Sequence, residues 1–217
     1  MYFSVSFMKH LATIISYLFH PLLMATYGCL IVFFGLTNTI YFLFTPLKLK
    51  LILILVVFAF TFLLPVLNLL ILHKFNFVSS LKIDKQSERT FPLIMTALCY
   101  FGLFYMLFDF NIWPAVKLFI LGGGICISAN AIINIWYKIS AHMIGIGGLI
   151  GSLLALCYYM QIQILVIISI CIVLAGCIAF SRLFLKAHSP AQIYVGFILG
   201  CVLQFSLFYL AQTITFV

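Results

Sequence analysis

Lys82 and Arg89 stand seven residues apart, Ser140 and His142 two apart, and Ser181, Arg182 and His188 share one short stretch, SRLFLKAH. Three cations suit a phosphate group, and arginine adds a planar fork that matches its oxygens. Two histidines can divide phosphoryl transfer between a nucleophile and a proton donor. Seven residues is about two helical turns, so a helix through KIDKQSER would set Lys82 and Arg89 on one face. The chain has only 3 acidic residues, too few for an ordinary two-metal phosphatase site. The expected chemistry is therefore metal-free, with no cofactor. The alternative is that these polar blocks are surface connectors, whose basic residues anchor helices at a membrane face.

The elements that must hold these residues are membrane helices. The 217 residues are 66% hydrophobic and 6% charged, whereas a soluble domain carries about a quarter charged residues. Several runs exceed the roughly 18 to 20 apolar residues that span a bilayer. The expected fold is all-α, a polytopic bundle of six or seven spans forming a single domain over 1–217, with its motif-bearing core at about 82–200. Spans are expected near 21–44, 48–72, 92–108, 115–136, 143–160, 162–180 and 190–213, and residues 1–20 as an interfacial helix or part of the first span. Pro65 should kink the second. Gly147 with Gly151, and Gly196 with Gly200, have the GxxxG spacing that lets helices approach closely, and Gly122 to Gly124 mark packing or a local irregularity. The 7 cysteines lie in apolar runs without a CxxC pair and are expected as small buried hydrophobes.

Counting crossings puts the connectors at 73–91, 138–142 and 181–189 on one face. The net charge is +8, and the basic residues sit in short connectors. The partners expected are anionic lipid headgroups or phosphates at the bilayer, not nucleic acid. His10, His20 and His73 are expected in ordinary helix-end roles.

The three blocks together resemble the signature of the type 2 phosphatidic acid phosphatase superfamily. Its first motif is a lysine, six residues, then arginine and proline; KIDKQSERT supplies Lys82 and Arg89, with Thr90 in place of the proline. Its second, PSGH, is ISAH here and keeps Ser140 and His142, while Ile139 and Ala141 depart. Its third, SR-x5-H, is matched in full by Ser181, Arg182 and His188. The likeness covers roughly residues 82–200.

The resemblance implies hydrolysis of a lipid phosphate or diphosphate monoester through a phosphohistidine. His188 would be the nucleophile and His142 the proton donor and water activator. Lys82, Arg89, Arg182, Ser140 and Ser181 would hold phosphate oxygens. Where the family often has an aspartate to orient the nucleophile, this chain has Gln192, which accepts a hydrogen bond but carries no charge. Phosphatidic acid, phosphatidylglycerol phosphate, an isoprenyl diphosphate and a lipid A phosphate all fit as substrates. The resemblance points to a bacterial inner membrane with a periplasm-facing site; the sequence does not fix an oligomeric state. Two other readings stay open: a lipid phosphotransferase, and a membrane protein that binds phospholipid headgroups with weak or no catalysis, which Gln192 favours.

Overall fold

The structure, a computed structural model, describes residues 2–36, 44–81, 83 and 85–215. Lys82 lies outside them. Among the described residues the regular elements are all helical. Among the described residues seven segments are long and apolar enough to cross a membrane: Val5–Gly35, Leu47–Lys74, Gln86–Leu107, Pro114–Ile133, Ala141–Met160, Leu165–Phe184 and Pro190–Ala211. The protein is an integral membrane, all-α helical bundle.

The elements in chain order are α1 (Tyr2–Leu18), α2 (Met24–Leu30), α3 (Leu47–Phe58), α4 (Leu64–Lys74), α5 (Thr90–Leu107), α6 (Pro114–Ile133), α7 (Ala141–Met160), α8 (Leu165–Phe184) and α9 (Pro190–Thr215). Short 3-10 turns cover Pro21–Leu23 and Gln86–Glu88, and π turns cover Ile31–Gly35 and Ala59–Leu63. The second π turn immediately precedes Pro65 in the first turn of α4. Proline has no N–H to continue the ladder, and a widened turn absorbs the break.

The first apolar run is folded at His20. A residue before proline is driven out of the α region, and His20 is extended at φ −62° and ψ 138°. Before the break, Ala12 and Ile15 line a groove with Gly176 and Phe180 of α8, and Ser16 meets Arg182 at the end of that helix. After it, Gly35 packs against Ile167 near the start of α8. The chain thus runs up beside α8 and returns. Residues 5–18 form one leg of a hairpin whose bend reaches the polar end of the bundle.

α7 and α9 make the closest contact. A Cβ at Gly147 would meet the Phe197 carbonyl, one at Gly151 the Cys201 carbonyl, and one at Gly200 the Ile144 carbonyl. These glycines let two backbones touch, as their spacing predicts. The triple glycine of α6 also serves packing: Gly122 faces the Gln204 side chain, Gly123 Tyr100 and Gly124 Phe101. The 7 cysteines are all free thiols, either buried or half-buried.

The expectation that Lys82 and Arg89 share a helix face falls on Lys82, outside the described residues; the described part of the segment before α5 is not a continuous helix. Ile83 is left-handed at φ 46° and Lys85 is extended at ψ 128°, so helical geometry begins only at the Gln86–Glu88 turn.

Candidate active site

The α7–α9 contact sets the heart of the site. Gly196 lies against the Ser140 carbonyl, and the Ser140 N–H donates to the Gln192 carbonyl at 3.3 Å. The N-terminus of α7, which carries His142, is thereby fixed to the N-terminus of α9, next to His188.

Ser189, Pro190 and Gln192 open α9 as a capping box. The Gln192 N–H donates to Ser189 Oγ at 3.4 Å and the Ser189 N–H to Gln192 Oε1 at 3.2 Å, with proline in the first turn. A Ser-x-x-Gln pattern predicts this start. The same Gln192 Oε1 lies 3.1 Å from His188 Nδ1. A backbone N–H can only donate, so the bond from Ser189 identifies the accepting atom as oxygen. His188 Nδ1 must then carry the proton, which leaves the lone pair on Nε2. His188 is 9% exposed and lines the main cavity. Burial, together with the charges of Arg182, Arg89 and Lys138, lowers its pKa to about 4, against a smaller opposing effect of the Gln192 bond. The ring is neutral at pH 7.

His142 is half-buried and lines the same cavity. Its Nε2 lies 3.0 Å from the Ser16 carbonyl. A carbonyl only accepts, so Nε2 donates and Nδ1 is the atom left to exchange a proton. Arg182, in the last turn of α8, donates from Nη1 to Ser16 Oγ at 3.3 Å. A single residue of α1 therefore touches both the second histidine and the arginine. Arg89 reaches the cavity from the start of α5. Its segment is pinned to the end of α6: Gln86 Nε2 donates to the Asn134 carbonyl at 2.7 Å, and Asn134 Nδ2 donates to the Gln86 carbonyl at 2.9 Å. Leu81 and Ile83, on either side of Lys82, also line the cavity.

Of the expected residues, Arg89, His142, Arg182 and His188 share this cavity, and Gln192 stands behind His188. Ser140 and Ser181 do not line it. Ser181 Oγ donates back to the Cys177 carbonyl at 2.8 Å, within its own helix. Ser140 Oγ is buried and, among the described residues, has no hydrogen-bond partner. Both serines pack behind the wall.

His20 is the residue that sequence reasoning missed. It lines the cavity, and its ring stands edge-on to His142 with centroids 5.6 Å apart. Its Nδ1 accepts the Leu22 N–H at 3.3 Å and caps the 3-10 turn, so the helix-end role holds, but at the bend of a hairpin that reaches the site. The His-Pro pair gave a signal for a break and none for its destination. Ser16 offered no sequence signal at all.

The cavity holds about 290 Å³. Its polar end is His20, Arg89, His142, Arg182 and His188; from there it descends between apolar walls past Met24, Gly145 and Leu149 toward Phe119. Such a space can take a small anionic group at one end and an apolar chain at the other.

Residues 134–216 match the family model of the PAP2 superfamily. The matched stretch contains α7, α8 and α9 with Ser140, His142, Ser181, Arg182, His188 and Gln192, and it begins beyond Arg89 and the N-terminal hairpin. No curated protein and no solved structure matches the chain.

Proposed function

We propose that the protein hydrolyses a lipid phosphate or diphosphate monoester through a phosphohistidine, without a metal ion. The observation that carries this reading is the His188 tautomer: Gln192 Oε1 is committed to two donors, so Nε2 holds a lone pair in a cavity rich in cations. The groups gathered there are imidazoles and guanidiniums. Among the described residues, no three His, Cys, Asp or Glu side chains converge as a metal donor set.

In the first step His188 Nε2 attacks phosphorus. A P–N bond forms and the P–O bond to the leaving group breaks, which is the lipid alcohol for a monophosphate and the lipid phosphate for a diphosphate. His142, protonated, gives its Nδ1 proton to the departing oxygen. In the second step neutral His142 takes a proton from water, the resulting hydroxide attacks phosphorus, and the P–N bond breaks to release phosphate. Gln192 keeps the Nδ1–H of His188 bound throughout. Arg89, Arg182 and Lys82 balance the charge on the nonbridging oxygens, which is where fixed donors accelerate such a reaction most. The Ser16 carbonyl holds the His142 ring. The lipid chain descends into the apolar part of the cavity.

This reading places the protein in a bacterial inner membrane with the site facing the periplasm. In a cysteine-free background, Lys186→Cys should react with an impermeant maleimide added to intact cells. Protection until the cells are lysed reverses the orientation.

The function itself is tested by trapping. The protein is mixed rapidly with a radiolabelled lipid phosphate, quenched in base and mapped by mass spectrometry. Label should sit on His188 and be absent from His188→Ala. Label elsewhere overturns the assignment. No label and no phosphate release across glycerolipid, isoprenyl and lipid A substrates leaves the headgroup-binding reading.

A further inference from the structure

Asn130 is one of the polar groups lining this cavity, with His20, Thr96, Tyr100 and Gln204, that the proposed hydrolysis does not use. It lies on α6, one turn before Asn134. Asn134 Nδ2 bonds Thr90 Oγ1 at 3.1 Å and the Gln86 carbonyl at 2.9 Å, so it marks the level of the segment that presents Arg89. Four residues of helix rise about 6 Å. Asn130 is therefore about 6 Å deeper in the bundle than the cation layer. It is 2% exposed, and what it faces is the cavity that also contains Arg89, His142 and His188.

Its Oδ1 is buried and, among the described residues, accepts no hydrogen bond. Asn134, one turn away, has its amide nitrogen tied to two oxygens of the neighbouring segment, while its Oδ1, like that of Asn130, meets no donor among the described residues. A buried amide oxygen without a donor is destabilising, and the cavity lining combines the apolar Leu93, Cys126 and Ile127 with the polar Thr96, Tyr100 and Gln204. Packing alone would be better served there by leucine.

A lipid phosphate seated against Arg89 and Arg182 would send its first few chain atoms past this point. An isoprenyl chain has only carbon there and would leave the oxygen unmet. A lipid with a hydroxyl or an amide N–H a few bonds from phosphorus would meet it. Resting on the lipid-phosphatase reading, we propose that Asn130 is a substrate-selecting subsite. It takes lipid phosphates with a hydrogen-bond donor close to the headgroup and disfavours isoprenyl phosphates. A glycerol hydroxyl and an amide-linked chain are the two sources of that donor.

The test compares a monoacylglycerol phosphate with its deoxy analogue, which lacks the free hydroxyl, and adds an N-acylated amino-alcohol phosphate and a polyprenyl phosphate. Wild-type kcat/KM should favour the hydroxyl lipid over the deoxy lipid by about ten-fold or more, the scale of one buried hydrogen bond. In Asn130→Leu the ratio should fall toward one, while the lipid-free protein melts at the same or a higher temperature. The amide lipid matching or exceeding the hydroxyl lipid assigns the donor to an amide; the reverse assigns it to a hydroxyl. Equal rates on the hydroxyl and deoxy lipids overturn the proposal and leave the hydrolase reading standing. So does an Asn130→Leu protein that melts lower and loses both lipids equally, since the amide is then structural. If no lipid is hydrolysed, the same pairs are compared by the rise in melting temperature each lipid produces. A rise that depends on the hydroxyl or amide donor and on Asn130 keeps the subsite without the reaction. An equal rise for all four lipids ends it.

Discussion

The two halves of the site are held by different kinds of contact. His142 and His188 stand on α7 and α9, whose backbones touch at Gly147, Gly151, Gly196 and Gly200. Arg89, Ser16 and His20 come from segments that approach through side-chain bonds. Asn134 meets Gln86 across 48 residues of sequence, and His142 and Arg182 meet Ser16 across 126 and 166. The difference is one of stiffness. A backbone wedged against a backbone has no rotamer to change, whereas a side-chain bond can lengthen or be replaced by water. The reacting atoms sit on the stiff half with Gln192, which orients His188, while the contacts that hold His142 and Arg182 come from the adaptable half. The stretch matched by the PAP2 superfamily contains the stiff half together with α8.

The largest expected effect comes from separating the stiff pair. Gly147→Val puts a branched side chain onto the Phe197 carbonyl, which is helix backbone and cannot move aside alone. Overpacking of this kind costs about 1–3 kcal/mol or more. The shift also draws Ser140 away from Gln192. Loss of nearly all phosphate release, with a lower melting temperature, is expected. Gly176→Val is the control, since a Cβ at Gly176 meets nothing within 4 Å. If the two variants behave alike, the glycine contact is not what holds the site.

Next is His142→Ala. Removing a positioned proton donor costs typically 10²–10⁴-fold, and here the loss should depend on the leaving group. A lipid alcohol needs its proton; a nitrophenyl phosphate leaves without one. The nitrophenyl ester should therefore still label His188 in a burst, with slow release afterwards. Equal losses on both substrates would place His142 in binding rather than proton transfer.

The contrast also decides what the sequence could reveal. SRLFLKAH was legible because Arg182 and His188 are separated by one helix end and one short connector, so local spacing nearly fixes their distance. The GxxxG pairs were legible because small residues at that spacing have few other uses in an apolar helix. Ser-Pro-Ala-Gln carried its capping box openly, although Gln192 drew notice only as a missing aspartate. A continuous helix leading to Arg89 is expected, yet Ile83 and Lys85 interrupt it, and nothing in KIDKQSER marks either. Ser140 and Ser181 were assigned by motif, yet a serine hydroxyl inside an apolar helix readily turns back to a carbonyl one turn away, as Ser181 does. Ser16, His20 and Asn130 could not be found at all, because their place depends on where a hairpin and a distant helix end up.

A smaller effect is expected at Gln192, where the stiff half is tuned. The His188 pKa is about 4, lowered by burial, Arg182, Arg89 and Lys138. The attacking lone pair is lost as pH falls through that value, so the acid limb of kcat/KM should lie well below the ordinary histidine range. Gln192→Glu preserves the reach to His188 Nδ1 and to the Ser189 N–H while adding a negative charge. A nearby anion favours the imidazolium, so the limb should move to higher pH with the pH-independent rate changed only a few-fold. A limb that does not move means the titrating group is not His188.

The smallest effect tests the adaptable half. Ser16 acts through two atoms: its carbonyl accepts from His142 and its Oγ accepts from Arg182. Ser16→Ala removes only the second. That bond is long, at 3.3 Å, and a typical hydrogen bond contributes about 0.5–1.5 kcal/mol, or roughly two- to ten-fold. Arg182 keeps its charge and its place at the end of α8, so the loss should fall mainly on KM, with the leaving-group dependence of kcat unchanged because the carbonyl still holds His142. A loss far above ten-fold, or one spread equally over kcat, would mean that α1 constrains the site as firmly as the glycine-packed pair, and the distinction between a stiff half and an adaptable half would no longer hold.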